Sequence, residues 1–147
     1  MKKIMPIGRV GCGKTLLCQC LAGQELHDKK TQTVEVIGGT AIDTPGEYLE
    51  NKNFYKALVV TAVETDCILL VQACDDAEFC FSPRMYGMFN RPMIGVLTKM
   101  DLSADDQQRE DLADLLRQVG AERVFCVSSL TGEGIDELRR YLNEPQN

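Results

Sequence analysis

Eight consecutive residues, Gly8-Arg9-Val10-Gly11-Cys12-Gly13-Lys14-Thr15, carry the clearest chemical signal in the chain. They spell Gly, four variable residues, then Gly-Lys-Thr, with an apolar run (Lys3 to Ile7) before them and a helix-like one (Leu16 to Leu21) after. Glycines let a backbone fold around an anion with its N–H groups turned inward, and the helix that follows adds positive partial charge. In such a loop Lys14 reaches the β- and γ-phosphates of a nucleotide, and the Thr15 hydroxyl serves a Mg²⁺ ion. All eight residues are therefore candidate nucleotide contacts. A plain glycine turn is the bland alternative; the placement between strand and helix favours the phosphate loop.

Three further segments carry chemistry that fits the first. Ala41-Ile42-Asp43-Thr44-Pro45-Gly46 ends an apolar run in a carboxylate. Asp43 suits Mg²⁺ bound through water, and the Gly46 amide suits a γ-phosphate, so this segment would sense whether that phosphate is present. By itself Asp-Thr-Pro-Gly is only a good turn. Thr98-Lys99-Met100-Asp101 follows another apolar run. A carboxylate at Asp101 accepts hydrogen bonds from guanine N1–H and its exocyclic amine, where adenine presents a lone pair, and the Lys99 stem covers the base plane. Ser128-Ser129-Leu130 supplies backbone amides for the guanine carbonyl. The expected ligand is GTP with Mg²⁺, with ATP as the alternative.

These segments need a scaffold that brings them together. Apolar stretches bounded by turn signals alternate with helical patterns, the signature of an α/β fold. The expected strands are Lys3 to Ile7, Thr33 to Ile37, Thr40 to Asp43, Cys67 to Gln72, Met93 to Thr98 and Val124 to Val127. Helices are expected from Ser103, as N-cap, to Val119, and from about Gly134 to just before Pro145. This predicts a mostly parallel six-stranded sheet with helices on both faces. The chain's 147 residues amount to one domain, residues 1–147. Pro6 is awkward inside a central strand, because it lacks a ladder donor. In open α/β sheets ligands bind beyond the carboxyl ends of the strands, where all four segments fall.

Composition removes other classes. A net charge of -6 gives no chain-wide footprint for nucleic acid or anionic lipid. No apolar run approaches a membrane span, and the N-terminus lacks the core of a signal peptide. The seven cysteines form no CxxC pair and His27 is the only histidine, so they are expected to be reduced, mostly buried hydrophobes of a cytoplasmic protein. Cys12, inside the loop, is expected to hinder nucleotide binding when oxidised or alkylated. Asp75, Asp76 and Glu78 read as a solvated loop, with a metal site as the alternative. Phe79 to Phe89, rich in aromatics and Met, reads as a helix packing on the sheet, with a docking face as the alternative.

The four segments together resemble those of Ras-like P-loop GTPases. More narrowly, the chain resembles the EutP/PduV family of ethanolamine- and propanediol-utilisation proteins, through Lys3-Ile4-Met5, Lys30-Thr31-Gln32, Ile42 to Tyr48, Tyr55-Lys56-Ala57-Leu58 and Asn90-Arg91-Pro92. The resemblance implies a cytoplasmic bacterial protein associated with metabolic microcompartments, with a shell protein or enzyme as partner. It also implies a switch threonine that meets Mg²⁺ and the γ-phosphate. Thr31 fits the Lys-Thr-Gln pattern, and Thr33 is the alternative from spacing. Where Ras-like enzymes carry a water-orienting glutamine this chain has Glu47, and Val10 stands where many have glycine. Together with Lys14, Thr31 and Gly46, Glu47 forms the expected catalytic set, and slow hydrolysis follows from its charge. Acetate kinase chemistry, associated with the family, and a nucleotide-binding scaffold without turnover are the competing functions.

Overall fold

A computed structural model describes residues 2–26, 34–76, 78–85, 87–102 and 105–144, with the backbone but not the side chains of Glu35, Glu47 and Arg84. Six strands form one sheet: β1 (Ile4–Ile7), β2 (Glu35–Ile37), β3 (Ala41–Asp43), β4 (Cys67–Ala73), β5 (Met93–Thr98) and β6 (Ala121–Cys126), in the order β2-β3-β1-β4-β5-β6. Only the β2–β3 pair is antiparallel; every other neighbour is parallel. Strands β1, β4 and β5 are buried along their whole length, as expected where helices cover both faces.

The period of two along these strands divides the core. Ile4, Cys67, Leu69, Val71, Ile94 and Val96 point to one face, where α1 (Lys14–Leu21) and α5 (Ile135–Asn143) bring Leu17, Leu21, Leu138 and Leu142. Met5, Ile7, Ile68, Leu70 and Leu97 point to the other, where α3 (Tyr55–Ala62) and α4 (Asp106–Val119) bring Leu58, Ala62, Leu112 and Leu116. A single turn, α2 (Glu47–Glu50), joins β3 to the segment leading into α3.

Pro6 fits because of parity. Ile4 donates its N–H to Thr40 O on the β3 side, so the position two residues on faces its missing donor the same way. The β1–β3 ladder pairs Ile4 with Ala41 and does not extend to Pro6.

Three expectations need correction. Helix α4 begins at Asp106, capped by the Asp105 carboxylate that accepts the Gln107 N–H at 2.8 Å, and the expected cap Ser103 lies outside the described residues. The Phe79–Phe89 region is not an α-helix. Its described part is irregular apart from one 3₁₀ turn, Pro83–Met85, although Phe81, Met85 and Phe89 do pack into the core. Strand β6 starts three residues before Val124, because Glu122 and Arg123 are exposed on a sheet edge and show no apolar run.

Candidate functional site

The four segments picked out above meet beyond the carboxyl ends of β1, β3, β5 and β6, joined by direct bonds. The phosphate-loop candidate, Gly8 to Thr15, turns from β1 into α1, with Gly13 at φ 92° as the residue before the helix. A side chain at Gly13 would strain that left-handed conformation, so glycine is required there.

Lys14, Thr15 and Asp43 converge. The Thr15 hydroxyl donates to Asp43 Oδ2 at 2.6 Å, and Lys14 Nζ lies 3.7 Å from Asp43 Oδ1. All three are buried, and Asp43 completely so. A hydroxyl and a carboxylate oxygen side by side are the hard donors that Mg²⁺ takes, so the residues present fit that ion. Gly46 follows at once and lies against the loop: a Cβ added there would overlap Val10 N, with Arg9 C and Val10 Cα each 2.7 Å away. Glycine is needed at this position for close backbone approach, which puts the start of α2 on the phosphate loop. Glu47 opens α2, while Thr31 and Thr33 lie outside the described residues.

On the other side, Thr98 Oγ1 donates to Cys12 O at 2.6 Å and Lys99 Nζ to Gly11 O at 2.7 Å, so the end of β5 braces the loop. Lys99 does this from a left-handed backbone, φ 61°, a conformation that costs a non-glycine residue energy and is sustained by these bonds. Asp101 sits in a 3₁₀ turn, where its Oδ1 accepts from Ser128 Oγ at 2.9 Å. A cavity of about 380 Å³ opens between Gly13, Leu16, Lys99, Asp101, Ser129 and Leu130. Among the described residues its lining is largely apolar with one carboxylate, Asp101, which suits a flat heterocycle with hydrogen-bond donors on one edge.

One sequence expectation changes here, and a second is sharpened. The Ser128 amide is already used, donating to Glu133 O at 2.9 Å, so Ser128 contributes through its hydroxyl on Asp101. Cys12 is buried within the core beside Leu17 and Val71, and burial pushes its thiol up to about 11. It is one of the buried, hydrophobic cysteines expected from the sequence.

Sequence reasoning missed the network around Arg9. Its guanidinium meets Asp76 at 3.0 Å, Glu78 at 3.3 Å and Glu50 at 3.8 Å, so the acidic cluster after β4 holds an arginine of the loop. Burial alone would raise the Asp76 carboxyl, but the Glu78 amide and Arg9 outweigh it and leave it below its ordinary value. Gln72 anchors the same loop, donating to Glu78 O at 3.1 Å and accepting the Cys80 N–H at 3.2 Å. In the sequence its traces are the acidic cluster itself and a polar residue in the otherwise apolar strand β4.

The family model for ethanolamine and propanediol utilisation, PduV-EutP, matches residues 1–144. The chain belongs to the PduV-EutP family. It is 47% identical over 147 residues to the propanediol utilization protein PduV of Citrobacter freundii, covering 100% of this chain and 97% of that protein. It is 33% identical over 144 residues to a protein of Salmonella typhimurium named as a probable acetate kinase, EutP, covering 97% and 89%. The GTPase Era of a Bradyrhizobium species is 27% identical over 94% of this chain, which spans 51% of that protein. Among solved structures, a bacterial selenocysteine-specific elongation factor matches with a TM-score of 0.70 at 21% identity, over 95% of this chain and 27% of that one. That likeness speaks to fold, and the fold of this PduV-EutP chain is the Ras-like P-loop GTPase fold. Among the described residues, no helix is long and apolar enough to cross a membrane.

Proposed function

We propose that this PduV-EutP protein is one P-loop unit that binds GTP with Mg²⁺ and hydrolyses it slowly, acting as a cytoplasmic nucleotide switch or assembly factor for a microcompartment shell protein or enzyme. The observation that carries this reading is Asp101: a carboxylate fixed by Ser128 at the mouth of an apolar cavity, beside a phosphate loop. An adenine reader has no use for a carboxylate in that place. In this reading Lys14 and the loop amides from Gly8 to Gly13 hold the phosphates, apart from that of Cys12, whose N–H donates to Arg9 O at 3.2 Å, while the Lys99 stem, Ser129 and Leu130 enclose the base. Thr15 and Asp43, with Thr31 or Thr33, would hold Mg²⁺, which when bound offsets charge on the phosphoryl oxygens.

The chain's own residues then set the pace. Gly46 presents an amide where a γ-phosphate would lie. Glu47, the first residue of α2, follows Gly46 where Ras-like enzymes carry a water-orienting glutamine, and a carboxylate in that role would disfavour the attack. Turnover is therefore expected below about 10⁻² s⁻¹.

Acetate phosphorylation is the competing reading, prompted by the name of the 33%-identical relative. A carboxylate acceptor needs a cation near the γ-phosphate, and the arginine of the loop, Arg9, is engaged by three carboxylates. That acidic surrounding repels an acetate ion. The two are separated by incubating the protein with Mg²⁺ and GTP or ATP, with and without acetate, and identifying the products. Inorganic phosphate from GTP at a rate indifferent to acetate is expected; acetyl phosphate would establish the kinase. Binding without turnover would reduce the protein to a nucleotide-dependent scaffold.

A further inference from the structure

Arg9 belongs to the phosphate loop, yet its side chain engages two other parts of the chain. Nη1 donates to Asp76 Oδ2 at 3.0 Å and Nη2 to Glu78 Oε2 at 3.3 Å, while Nε lies 3.8 Å from Glu50 Oε1. Nη1 also reaches Glu78 Oε2 at 3.4 Å, so the three nitrogens between them span three carboxylates, a spread that suits a planar guanidinium better than a single ammonium nitrogen.

The two sides of this cluster have unequal foundations. Asp76 and Glu78 stand on the sheet: the Glu78 N–H donates to Asp76 Oδ1 at 3.0 Å, the Asp76 N–H to Ala73 O at 3.2 Å, and buried Gln72 holds Glu78 O. Glu50 ends α2, a four-residue turn that starts next to Gly46. Gly46 in turn touches the backbone of Arg9 and Val10. Through Arg9, then, the sheet grips the far end of α2 while the near end rests on the loop.

We propose that Arg9 is a positioning residue that ties α2 to the phosphate loop through Glu50, holds Gly46 against Val10, and so raises affinity for a nucleoside triphosphate over the diphosphate. This rests on the nucleotide-binding reading above. A diphosphate has no group to meet the Gly46 amide, so only triphosphate binding requires that amide to be in place. Fixing it beforehand removes an ordering cost from one ligand and not the other. The Arg9–Glu50 contact is partly exposed, which limits the effect to about two- to five-fold.

The test compares wild type, Glu50→Gln and Arg9→Lys in two measurements. Affinities for GDP and a non-hydrolysable GTP analogue are titrated with Mg²⁺, and amide hydrogen exchange is followed across residues 46–50 in the nucleotide-free protein. Both variants are expected to exchange faster at those amides and to lower the triphosphate-to-diphosphate affinity ratio about two- to five-fold, with GDP affinity held in Glu50→Gln, which lies outside the loop. Exchange and ratio equal to wild type would overturn the tie. An equal loss of both nucleotides with a lower Tm would overturn it too, making Arg9 a general structural residue. If wild type binds neither nucleotide, the switch reading fails, and exchange at residues 46–50 still decides whether the tie exists.

Discussion

At the end of the cleft proposed to hold phosphate, Lys14 and Thr15 are buried against Asp43, and Gly46 is pressed on the loop. At the base end, Asp101 and Leu130 face an open cavity of about 380 Å³, and most of the precision comes from hydrogen bonds that brace the loop rather than fill the space. The difference separates two jobs. A polyphosphate is recognised by charge, so the groups that meet it are kept desolvated and paired, ready to exchange partners. A base is recognised by shape and by the pattern on one edge, so it needs room and a single oriented acceptor. A chain with net charge -6 depends on this division, since the attraction for phosphate must be local.

Breaking the phosphate end should have the largest effect. Lys14→Ala removes the cation that would meet the phosphates and takes away the ammonium 3.7 Å from the buried Asp43 carboxylate. Nucleotide affinity is expected to fall about 10²-fold or more in a calorimetric titration, and Tm should fall with it. Retained affinity would mean that the loop does not hold phosphate.

The base end should respond by changing preference. Asp101→Asn exchanges an acceptor pair for an amide, which can donate to the second carbonyl of xanthine. GTP affinity is expected to drop about ten- to a hundred-fold, with XTP now bound better than GTP. Ser128→Ala leaves the carboxylate in place but removes the hydroxyl that orients it at 2.9 Å, so a smaller loss of about five-fold is expected, shared by GTP and GDP. If Ser128→Ala weakened binding as much as Asp101→Asn, positioning and recognition could not be separated as drawn here.

The smallest effect concerns Cys12. Its thiol is desolvated and pushed up to about 11, so at pH 7 it stays protonated and slow. Mass spectrometry after brief iodoacetamide treatment should show modification at the half-exposed Cys20 and Cys126 well before Cys12. Raising the pH toward 9 should speed the exposed sites while Cys12 still lags. Early alkylation of Cys12 would show that the loop opens.

What was legible in the sequence follows from how each feature is encoded. The central strands read as continuous apolar runs because both faces are covered, and the four nucleotide segments read as motifs because their spacing is fixed by contiguous backbone. Strand β6 was half hidden: on an edge, Glu122 and Arg123 cost nothing by facing water. The start of α4 was misplaced because Ser103 and Asp105 are both good caps, and only the Gln107 amide bond distinguishes the one used. The aromatic stretch before β5 has helical spacing, but it packs Phe81, Met85 and Phe89 into the core from an irregular path containing Pro83 and Gly87. The Arg9 cluster joins residues 41 and 67 or more positions apart, a pairing that no local pattern announces.

The central claim is that the cavity beside Asp101 reads guanine. Calorimetric titration of the 147-residue protein with GTP and with ATP, each in Mg²⁺ buffer, tests it most directly. The account predicts saturable binding of GTP with ATP weaker by about a hundred-fold, the loss expected when a carboxylate faces a lone pair in place of two donors. Equal affinity for the two nucleotides, or a preference for ATP, would contradict it.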